Sequence, residues 1–190
     1  PDRFVGMHWA EPAHATRFLE LIRGERTSEE TFEKAVALAK HLGKEPSLVQ
    51  KDVPGFIVNR IGYAMYREAA HMVDQGVADV ETIDRSCRNA FGLWAAMCGP
   101  FRWIDITGGP ELYAKSIERV LPTLCSENKR LPELLERLKR EEAGGQPTGS
   151  GFYEYSPDSL DWQERYHEFA WRAKALLDEF YPLDNQQETH

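Results

Sequence analysis

The stretch KDVPGFIVNRIG, residues 51–62, divides this chain of 190 residues into two parts with different hydrophobic periodicity. Before it, short runs of alternating apolar residues indicate β-strands around one amphipathic helix. After it, apolar residues recur at helical spacing through most of the remaining sequence. The division predicts a mainly α protein, in which a small β-β-α-β unit precedes a helical domain.

The first part contains three candidate strands and one helix. The strands are predicted at Arg3–Met7, Phe18–Ile22 and 47–50, with alternate side chains on opposite faces of the second strand. The run TSEE resembles a capping box, which predicts Thr27 as the N-cap of the helix and Glu30 as its partner. Three short strands make a poor free-standing sheet, so this unit is expected to be the end of a larger domain.

Glycine and proline mark the boundaries of the helical part. Ile57 begins a long apolar stripe that ends near Gly76, and Asp79 is a candidate N-cap for a second helix over residues 80–90. The segment GGQPTGSG, residues 144–151, is the clearest break. Later helices are predicted near Pro100, Pro110 and Leu131 and over residues 161–181, the last with Trp162, Tyr166, Phe169, Ala173, Leu176 and Phe180 on its apolar side, and the tail DNQQETH is expected to be frayed.

Composition restricts the partners. The formal net charge is −8, so no basic surface for nucleic acid or for an anionic membrane is expected. No apolar run approaches the roughly 20 residues of a membrane span. Cys87, Cys98 and Cys125 are odd in number and lack CxxC spacing, which argues against a disulfide framework or a zinc site. They are predicted to be small buried hydrophobes, and the protein is predicted to be cytoplasmic.

A histidine and a glutamate form the first candidate site. His8 follows the first predicted strand, and Glu20 is an acid within the second. If the strands pair as an antiparallel hairpin, the two residues lie across from each other and the carboxylate fixes the tautomer of the imidazole. The other ring nitrogen is then a general base, which contributes on the order of 10²–10⁴ in rate. On spacing alone, a structural pair that closes the sheet is the favoured interpretation.

Asn59 is the second candidate, because it interrupts the apolar stripe just after the Pro-Gly turn. Its amide could donate and accept hydrogen bonds toward a bound substrate. It could equally satisfy backbone groups near the start of the helix. The residue type by itself does not decide between these two roles.

Five motifs, in the same order along residues 3–155, resemble the 3-hydroxyacyl-CoA dehydrogenase family. RFVGMHWAEP resembles the family's strand that ends in His-aromatic-x-Asn-Pro, and RFLELIRG resembles the following strand with its acid. KDVPGFIVNRI is close to a verbatim match to the family's domain junction. GPFRWIDITGG resembles the later Gly-Pro-Phe segment, and PTGSGFYEY resembles the Gly-x-Gly-Phe-Tyr segment that usually closes the helical domain.

The resemblance implies an NAD-dependent oxidoreductase of fatty acid β-oxidation, with an N-terminal Rossmann domain and a helical C-terminal dimerisation domain. Carried over onto this sequence, it implies that His8 is the general base that takes the proton from the 3-hydroxyl group of a 3-hydroxyacyl-CoA. It implies that Glu20 orients and supports His8, and that Asn59 helps to position the substrate. It also implies that the product is the 3-oxoacyl-CoA and that the protein forms a homodimer through the helical domain.

The sequence departs from the family pattern at three places. Glu11 stands where the family has asparagine, which puts a carboxylate near the proposed base and could repel an anionic substrate. The segment GLWAAMCGPF, around Trp94, resembles relatives that act on small polar hydroxy acids rather than on acyl-CoA esters. Residues 156–190 extend beyond the usual end and are expected to cover the domain or to reach a partner subunit.

The glycines bear on the cofactor. A G-x-G-x-x-G motif is absent, and the pair Gly149 and Gly151 is predicted to form a turn rather than a phosphate site. The expected organisation is the end of the NAD-binding domain over residues 1–53, the helical domain over 54–155 and a helical extension over 156–190. We expect a missing N-terminal domain to bind most of the NAD and the fragment alone to be inactive.

Two alternative functions remain open. The parent protein could be a dehydrogenase of a non-CoA hydroxy acid in the same family, which Glu11 and the Trp94 segment favour. It could also be a catalytically silent dimerisation or binding module that keeps the helical fold. A metal site is not predicted, because His8 and His14 lack a third ligand of suitable spacing, and His14 is expected to be solvated or hydrogen-bonded in its loop.

Overall fold

The computed structural model describes residues 1–126 and 130–183, so the tail DNQQETH lies outside the described residues. Two compact units are present. One consists of Pro1–Ile61 together with the described residues from Leu160 onward, and the other consists of Gly62–Ser159. The described chain is mainly helical, with a small three-stranded sheet at its start, which confirms the predicted fold class.

The sheet has the strand order β1-β2-β3. β1 (Gly6–His8) runs antiparallel to β2 (Phe18–Ile22), and β2 runs parallel to β3 (Glu45–Val49). Helix α1 (Glu29–His41) connects β2 to β3, as a parallel pair requires a crossover. The predicted β-β-α-β order is confirmed.

Both faces of β2 are covered. On one face, Leu19 and Leu21 are fully buried and pack against α1. On the other face, the side chain of Glu20 is also 0% exposed. Because water does not reach this carboxylate, its charge has to be satisfied by protein groups.

The first strand is shorter than predicted, because it begins at Gly6 rather than at Arg3 and ends at His8. The hydroxyl of Thr27 donates to the carbonyl oxygen of Phe4 at 2.6 Å. This bond connects residue 4, which precedes the strand, to the start of α1. Only Gly6, Met7 and His8 therefore pair with β2. His8 therefore belongs to the strand and does not follow it.

The N-cap of α1 also differs from the prediction. Ser28, not Thr27, caps the helix, since its hydroxyl oxygen accepts a hydrogen bond from the backbone N–H of Thr31 at 3.2 Å. The hydroxyl of Thr27 instead donates to Phe4 and accepts from the backbone N–H of Gly24 at 3.0 Å. Glu30 is not the partner of a capping box and instead forms a surface ion pair one turn further along the helix.

Two further boundaries differ from the sequence prediction. β3 begins at Glu45 rather than at residue 47, because the backbone N–H of Glu45 donates to the carbonyl oxygen of Arg17 at 2.8 Å. The helix predicted over residues 80–90 is α-helical only to Ser86, and a π-helical turn over Cys87–Phe91 carries it into the next helix.

Residues 62–159 form the helical unit, into which helix α2 (Val58–Asp74) leads. Asp79 is the N-cap of the second helix, as predicted, and its Oδ1 accepts from the backbone N–H of Thr82 at 2.7 Å. None of the helices in the described chain is long and apolar enough to cross a membrane. The remaining helices of this unit are α3 (Val80–Ser86), α4 (Gly92–Met97), α5 (Gly99–Ile106), α6 (Gly109–Val120) and α7 (Glu133–Arg140), with 3-10 turns at Leu121–Thr123 and Gln146–Thr148.

The cysteines of this unit are less buried than predicted. Cys125 is buried at 7% exposed, but Cys87 and Cys98 are only half-buried. These two lie on the π-helical turn and at the end of α4, where neighbouring apolar residues are themselves exposed. All three cysteines are free thiols.

The C-terminal helix, α8 (Trp162–Phe180), belongs to the first unit and is capped by Asp161, close to the predicted bounds. Its buried face is not the predicted one. Ala170 is 8% exposed, whereas Phe169 is 65% exposed and Phe180 is 61% exposed. The reason is that polar contacts with the chain between β1 and β2 decide which side of α8 faces the unit.

Candidate active site

The register of β1 and β2 places His8 directly opposite Glu20. The Nδ1 atom of His8 lies 2.7 Å from Oε2 of Glu20, so the predicted pair forms. The imidazole is 26% exposed and the carboxylate 0% exposed. Because a carboxylate only accepts hydrogen bonds, Nδ1 carries the proton and the neutral ring keeps a lone pair on Nε2.

The second oxygen of Glu20 faces the start of α2. Its Oε1 accepts hydrogen bonds from the backbone N–H groups of Ile57 and Val58, both at 3.0 Å. A negative charge is favourable at a helix N-terminus, where backbone N–H groups lack helical partners. With His8 the buried carboxylate has three donors, and hydrogen bonds to a charged group each contribute about 1.5–3 kcal/mol. The pair is thereby fixed by two separate elements of the fold.

The Pro-Gly turn at the domain junction orients the backbone N–H groups of Ile57 and Val58 toward Glu20. Gly55 has φ of 81° and Phe56 has φ of 46°, both in the left-handed region. A Cβ added to Gly55 would lie 3.1 Å from Cγ of Arg60, so this position also lacks room for a side chain. The ring of Phe56 lies 5.3 Å from the His8 ring. The sequence analysis identified the junction but missed that its amides and Phe56 build the site.

Asn59 lies in the first turn of α2 and is half-buried. In the described parts of the chain, its side chain makes no hydrogen bond. The backbone groups that it could have satisfied at the helix start are bound by Glu20 instead. Asn59 follows directly after the two residues whose backbone N–H groups bind Glu20, and its role toward a substrate stays a prediction.

Glu11 and His14, which follow His8 in the chain, both contact the C-terminal helix, and the sequence did not indicate these partners. Oε1 of Glu11 lies 3.3 Å from Nε2 of His167 in α8, so this carboxylate is directed to the C-terminal helix. The ring of His14 contacts the rings of His167 and Trp171, each with centroids 5.7 Å apart. His14 is exposed in its turn, as predicted, and one side of its ring lies against the two aromatic rings of α8.

Two buried cations hold the chain between the strands of the site, and the sequence analysis missed both. Nζ of Lys44 donates to the carbonyl oxygens of Ala13 and Thr16. Burial lowers the pKa of Lys44, and the nearby charge of Lys174 lowers it further. Arg17, which is 6% exposed, is the second buried cation. Arg17 opens the RFLELIRG motif and Lys44 lies outside the five motifs, but only their surroundings in the fold identify them as buried cations.

Other candidates have simple outcomes. Gly149, with φ of 82°, ends the 3-10 turn before FYEY, which confirms the predicted turn. Over residues 1–126 and 130–183, no group of three or more His, Cys, Asp and Glu side chains is placed to hold a metal ion. The candidate site consequently consists of an oriented imidazole, a buried carboxylate and a neighbouring amide.

Two family profiles match the chain. The profile described as 3-hydroxyacyl-CoA dehydrogenase, C-terminal domain, matches residues 55–155. The profile described as 3-hydroxyacyl-CoA dehydrogenase, NAD binding domain, matches residues 1–53. Together they include the His8–Glu20 pair, the junction and the helical unit.

Individual proteins are similar over almost the whole chain. The crystal structure of 5-formyl-3-hydroxy-2-methylpyridine 4-carboxylic acid 5-dehydrogenase, described as an NAD+ dependent dismutase, has a TM-score of 0.84 and 31% identity, and the match covers 97% of this chain and 58% of that one. L-carnitine dehydrogenase of Staphylococcus epidermidis is 30% identical over 188 residues, which cover 98% of this chain and 57% of the relative. The alpha subunit of the fatty acid oxidation complex of a Psychrobacter species is 37% identical over 194 residues, covering 98% of this chain and 25% of the subunit.

The chain thus spans only part of its relatives, for example 57% of the L-carnitine dehydrogenase and 58% of the pyridine carboxylate dehydrogenase. The family profiles account for its sheet and its helical unit, and the cofactor of the family is NAD. This chain belongs to the 3-hydroxyacyl-CoA dehydrogenase family.

Proposed function

We propose that this chain supplies the catalytic base of an NAD-dependent dehydrogenase that oxidises a hydroxyl group of a small polar acid. The observation that carries the proposal is the pair of His8 and Glu20, joined at 2.7 Å with Nε2 of the imidazole left free. A general base must reach the proton that it removes, and a ring that is 26% exposed at a strand end can do so.

The chemistry of the chain's own residues follows from this geometry. Nε2 of His8 accepts the hydroxyl proton of the substrate. NAD, when bound, would supply the acceptor for the hydride of the carbon that bears this hydroxyl. The imidazolium that forms is stabilised by the carboxylate of Glu20, whose other oxygen accepts hydrogen bonds from two backbone N–H groups. In the reverse direction, His8 returns the proton to the carbonyl oxygen.

The residues of the candidate site fit NAD if the cofactor is held mainly by another part of the protein. His8 and the start of α2 offer a base and an amide, but the sequence has no G-x-G-x-x-G motif to receive a pyrophosphate. We therefore infer that NAD is bound mainly by residues of the parent protein outside this chain. We also propose residues 1–53 as the end of the NAD-binding domain, 54–155 as the helical domain and 156–190 as an extension, whose described residues from Leu160 onward belong to the same compact unit as residues 1–53. Without those residues, turnover by the 190-residue chain is not expected.

A non-CoA acid is the favoured substrate class. L-carnitine dehydrogenase and the pyridine carboxylate dehydrogenase, both similar over nearly the whole chain, carry non-CoA acids in their names. Glu11, three residues after His8 and 70% exposed, adds a negative charge that disfavours the several charges of CoA more than the single charge of a small acid. The second candidate is 3-hydroxyacyl-CoA oxidation to 3-oxoacyl-CoA, which the family name and the fatty acid oxidation relative support.

We also propose that the parent protein forms a homodimer through the helical unit. Large apolar side chains of this unit are exposed, among them Leu93 at 72% and Phe101 at 83%. Exposed apolar patches of this kind are typical of surfaces that bind another protein. A homodimer would cover them with the same surface of a second copy.

The test of the proposed function is the turnover of the full-length parent and its His8→Gln variant, measured as NADH formation. We expect the variant to lose about 10²–10⁴ in turnover, which is the usual contribution of a general base, with little change in melting temperature. His41→Gln, an exposed position in the last turn of α1, is the matched control and should keep full turnover. Full turnover in both variants would reject His8 as the catalytic base. No NADH formation by the unaltered parent with any of the substrates named below would favour a catalytically silent module.

The same assay separates the two substrate classes. The parent protein is given L-carnitine, free 3-hydroxybutyrate and 3-hydroxybutyryl-CoA at equal concentrations. Turnover of a free acid with little turnover of the thioester would support the favoured class. The opposite result would support the second candidate and leave the role of His8 unchanged.

A further inference from the structure

Helix α8 lies along the chain that joins the two strands of the candidate site. This chain, called here the 9–17 segment, begins directly after His8 and ends directly before Phe18. The ring of Phe18 in turn meets the His8 ring edge-on, with centroids 6.0 Å apart. The proposed mechanism gives no role to α8, although the helix contacts the 9–17 segment at its beginning, its middle and its end.

At its beginning, the 9–17 segment is bound through Glu11. Nε2 of His167 lies 3.3 Å from Oε1 of Glu11, and the hydroxyl of Tyr166 donates to the carbonyl oxygen of Glu11 at 3.2 Å. Side chain and backbone of the same residue are thus both held by neighbouring residues of α8. Glu11 lies three residues after His8, the last paired residue of β1.

In the middle, the contact is made by His14. Its ring lies 5.7 Å from that of His167 at an interplanar angle of 89°, and 5.7 Å from that of Trp171. His167 therefore touches both Glu11 and His14. Edge-to-face packing of rings at this separation is favourable and directional.

At its end, the 9–17 segment is bound through Arg17, whose side chain is 5% exposed. Nη1 donates to the carbonyl oxygens of Leu177 at 2.9 Å and Tyr181 at 2.7 Å, at the C-terminal end of α8. Helix C-termini present unpaired carbonyl groups and a partial negative charge, so a guanidinium binds there favourably. Nη2 donates to Glu45 at 2.7 Å, which connects the same side chain to β3.

The three contact residues, Glu11, His14 and Arg17, are spaced by three along the chain and meet α8 in the same order as the helix runs. The helix consequently holds the whole connection between β1 and β2. The hydrogen bond between His8 and Glu20 closes the hairpin at the end where this connection leaves the strands. A movement of the 9–17 segment therefore changes the separation of the imidazole and the carboxylate.

We propose that α8 positions the His8–Glu20 pair, with Arg17 and His167 as positioning residues, an inference that rests on the proposed function. Neither residue touches the substrate or the cofactor in this arrangement. Their effect is to keep Nδ1 of His8 as a donor to Glu20, so that the lone pair of the neutral ring stays on Nε2. Loss of the contacts loosens the hairpin and lets the imidazole adopt the other tautomer.

The test uses ring ¹⁵N chemical shifts of His8 in the 190-residue chain, at a pH where the imidazole is neutral. These shifts report which ring nitrogen carries the proton, a property that helix stability alone does not change. His167→Ala should shift the Nε2 resonance toward the protonated value. His167→Gln, whose side-chain amide can still donate to Glu11, should restore the wild-type shift. Glu168→Ala removes only an ion pair with Arg172 on the exposed side of α8 and serves as the control.

Arg17→Met should give the larger shift, because it removes the bonds to two carbonyl groups of α8 at once. If that variant does not fold, Tyr166→Phe is the milder second variant, since it deletes one hydrogen bond from a side chain that is 49% exposed. A His8 tautomer that stays unchanged in His167→Ala, together with a lowered melting temperature, would overturn the proposal and reduce α8 to a stabilising element.

Turnover of the full-length parent distinguishes the two proposals. His8 ring shifts that respond to His167→Ala in a parent without dehydrogenase activity would support the positioning and reject the proposed function. An active parent in which the ring shifts do not respond would reject the positioning and keep the proposed function. In an active parent with positioning, His167→Ala should lower kcat with little change in KM, and His167→Gln should restore it.

Discussion

The sheet unit and the helical unit bury different kinds of residue. Among the described residues, the buried charged side chains are Arg17, Glu20 and Lys44, and all three lie in the sheet unit. Each of them binds backbone groups of an adjoining segment. The helical unit buries few apolar residues, such as Ile83 and Leu134, and exposes many large ones.

This difference in buried residues indicates that the two units are stabilised by different interactions. In the sheet unit, an apolar core on one face of β2 supports a polar network on the other, and the network orients the candidate base. In the helical unit, polar caps hold the helices together, as when Asp74 accepts from the backbone N–H of Leu134 at 2.8 Å. Its apolar side chains face outward, so we expect it to depend on a further surface for stability.

The largest expected effect is on the core of the sheet unit. Leu21 is 0% exposed and Leu112 is 52% exposed, so the same truncation tests both units. Leu21→Ala should lower the free energy of unfolding by about 2–5 kcal/mol, because it leaves a cavity against α1. Leu112→Ala should cost less than about 1 kcal/mol in the monomeric chain, since little packing is lost. Urea denaturation of both variants measures the difference, and equal costs would show that the two units are packed alike.

The next effect concerns the outward apolar face of the helical unit. Phe101 is 83% exposed, so Phe101→Asp should leave the melting temperature of a monomer nearly unchanged. If the unit forms a homodimer through this face, the buried charge should weaken the dimer by at least tenfold, a change of about 1.4 kcal/mol. Sedimentation at several concentrations measures it, and Leu38→Asp on α1, exposed at 47%, is the control. A dimer unaffected by Phe101→Asp would exclude this residue from the interface.

The smallest effect is a pH dependence inside the helical unit. The hydroxyl of Tyr153 donates to Oδ2 of Asp84 at 2.8 Å, and burial together with this carboxylate raises the pKa of Tyr153 to about 12. The folded chain then keeps a proton that the unfolded chain loses above its ordinary value near 10, so stability should fall as the pH rises from 10 to about 12. Below pH 10 the contribution is fully present.

Tyr153→Phe should remove this alkaline loss, and Tyr63→Phe, at a side chain 65% exposed, should not. Because Tyr153 is itself 37% exposed, solvent screening keeps the effect small. Unfolding free energies at pH 9 and pH 11 measure it. The same slope in wild type and Tyr153→Phe would show that the hydrogen bond to Asp84 does not form in solution.

Sequence patterns predicted a helix or strand accurately where its bounds depend only on residues within the same segment. β2 has the bounds that its alternation predicted, Asp79 caps its helix, and α8 begins and ends within a residue of the prediction. Predictions that depended on a distant partner were less accurate. Ser28 rather than Thr27 is the N-cap, because the hydroxyl of Thr27 donates to Phe4, 23 residues earlier, and accepts from Gly24.

The sequence by itself determined the family, the order of the elements and the residues of the candidate pair, because alternation, caps and motifs are local and are written within a few residues. Only the tertiary structure decided which face of α8 is buried and what holds the pair. Those outcomes depend on Arg17 and Lys44, whose charges could be buried only where backbone carbonyl groups from other segments converge. It also showed that the amides of Ile57 and Val58 bind Glu20, a contact across 37 and 38 residues that no local pattern encodes.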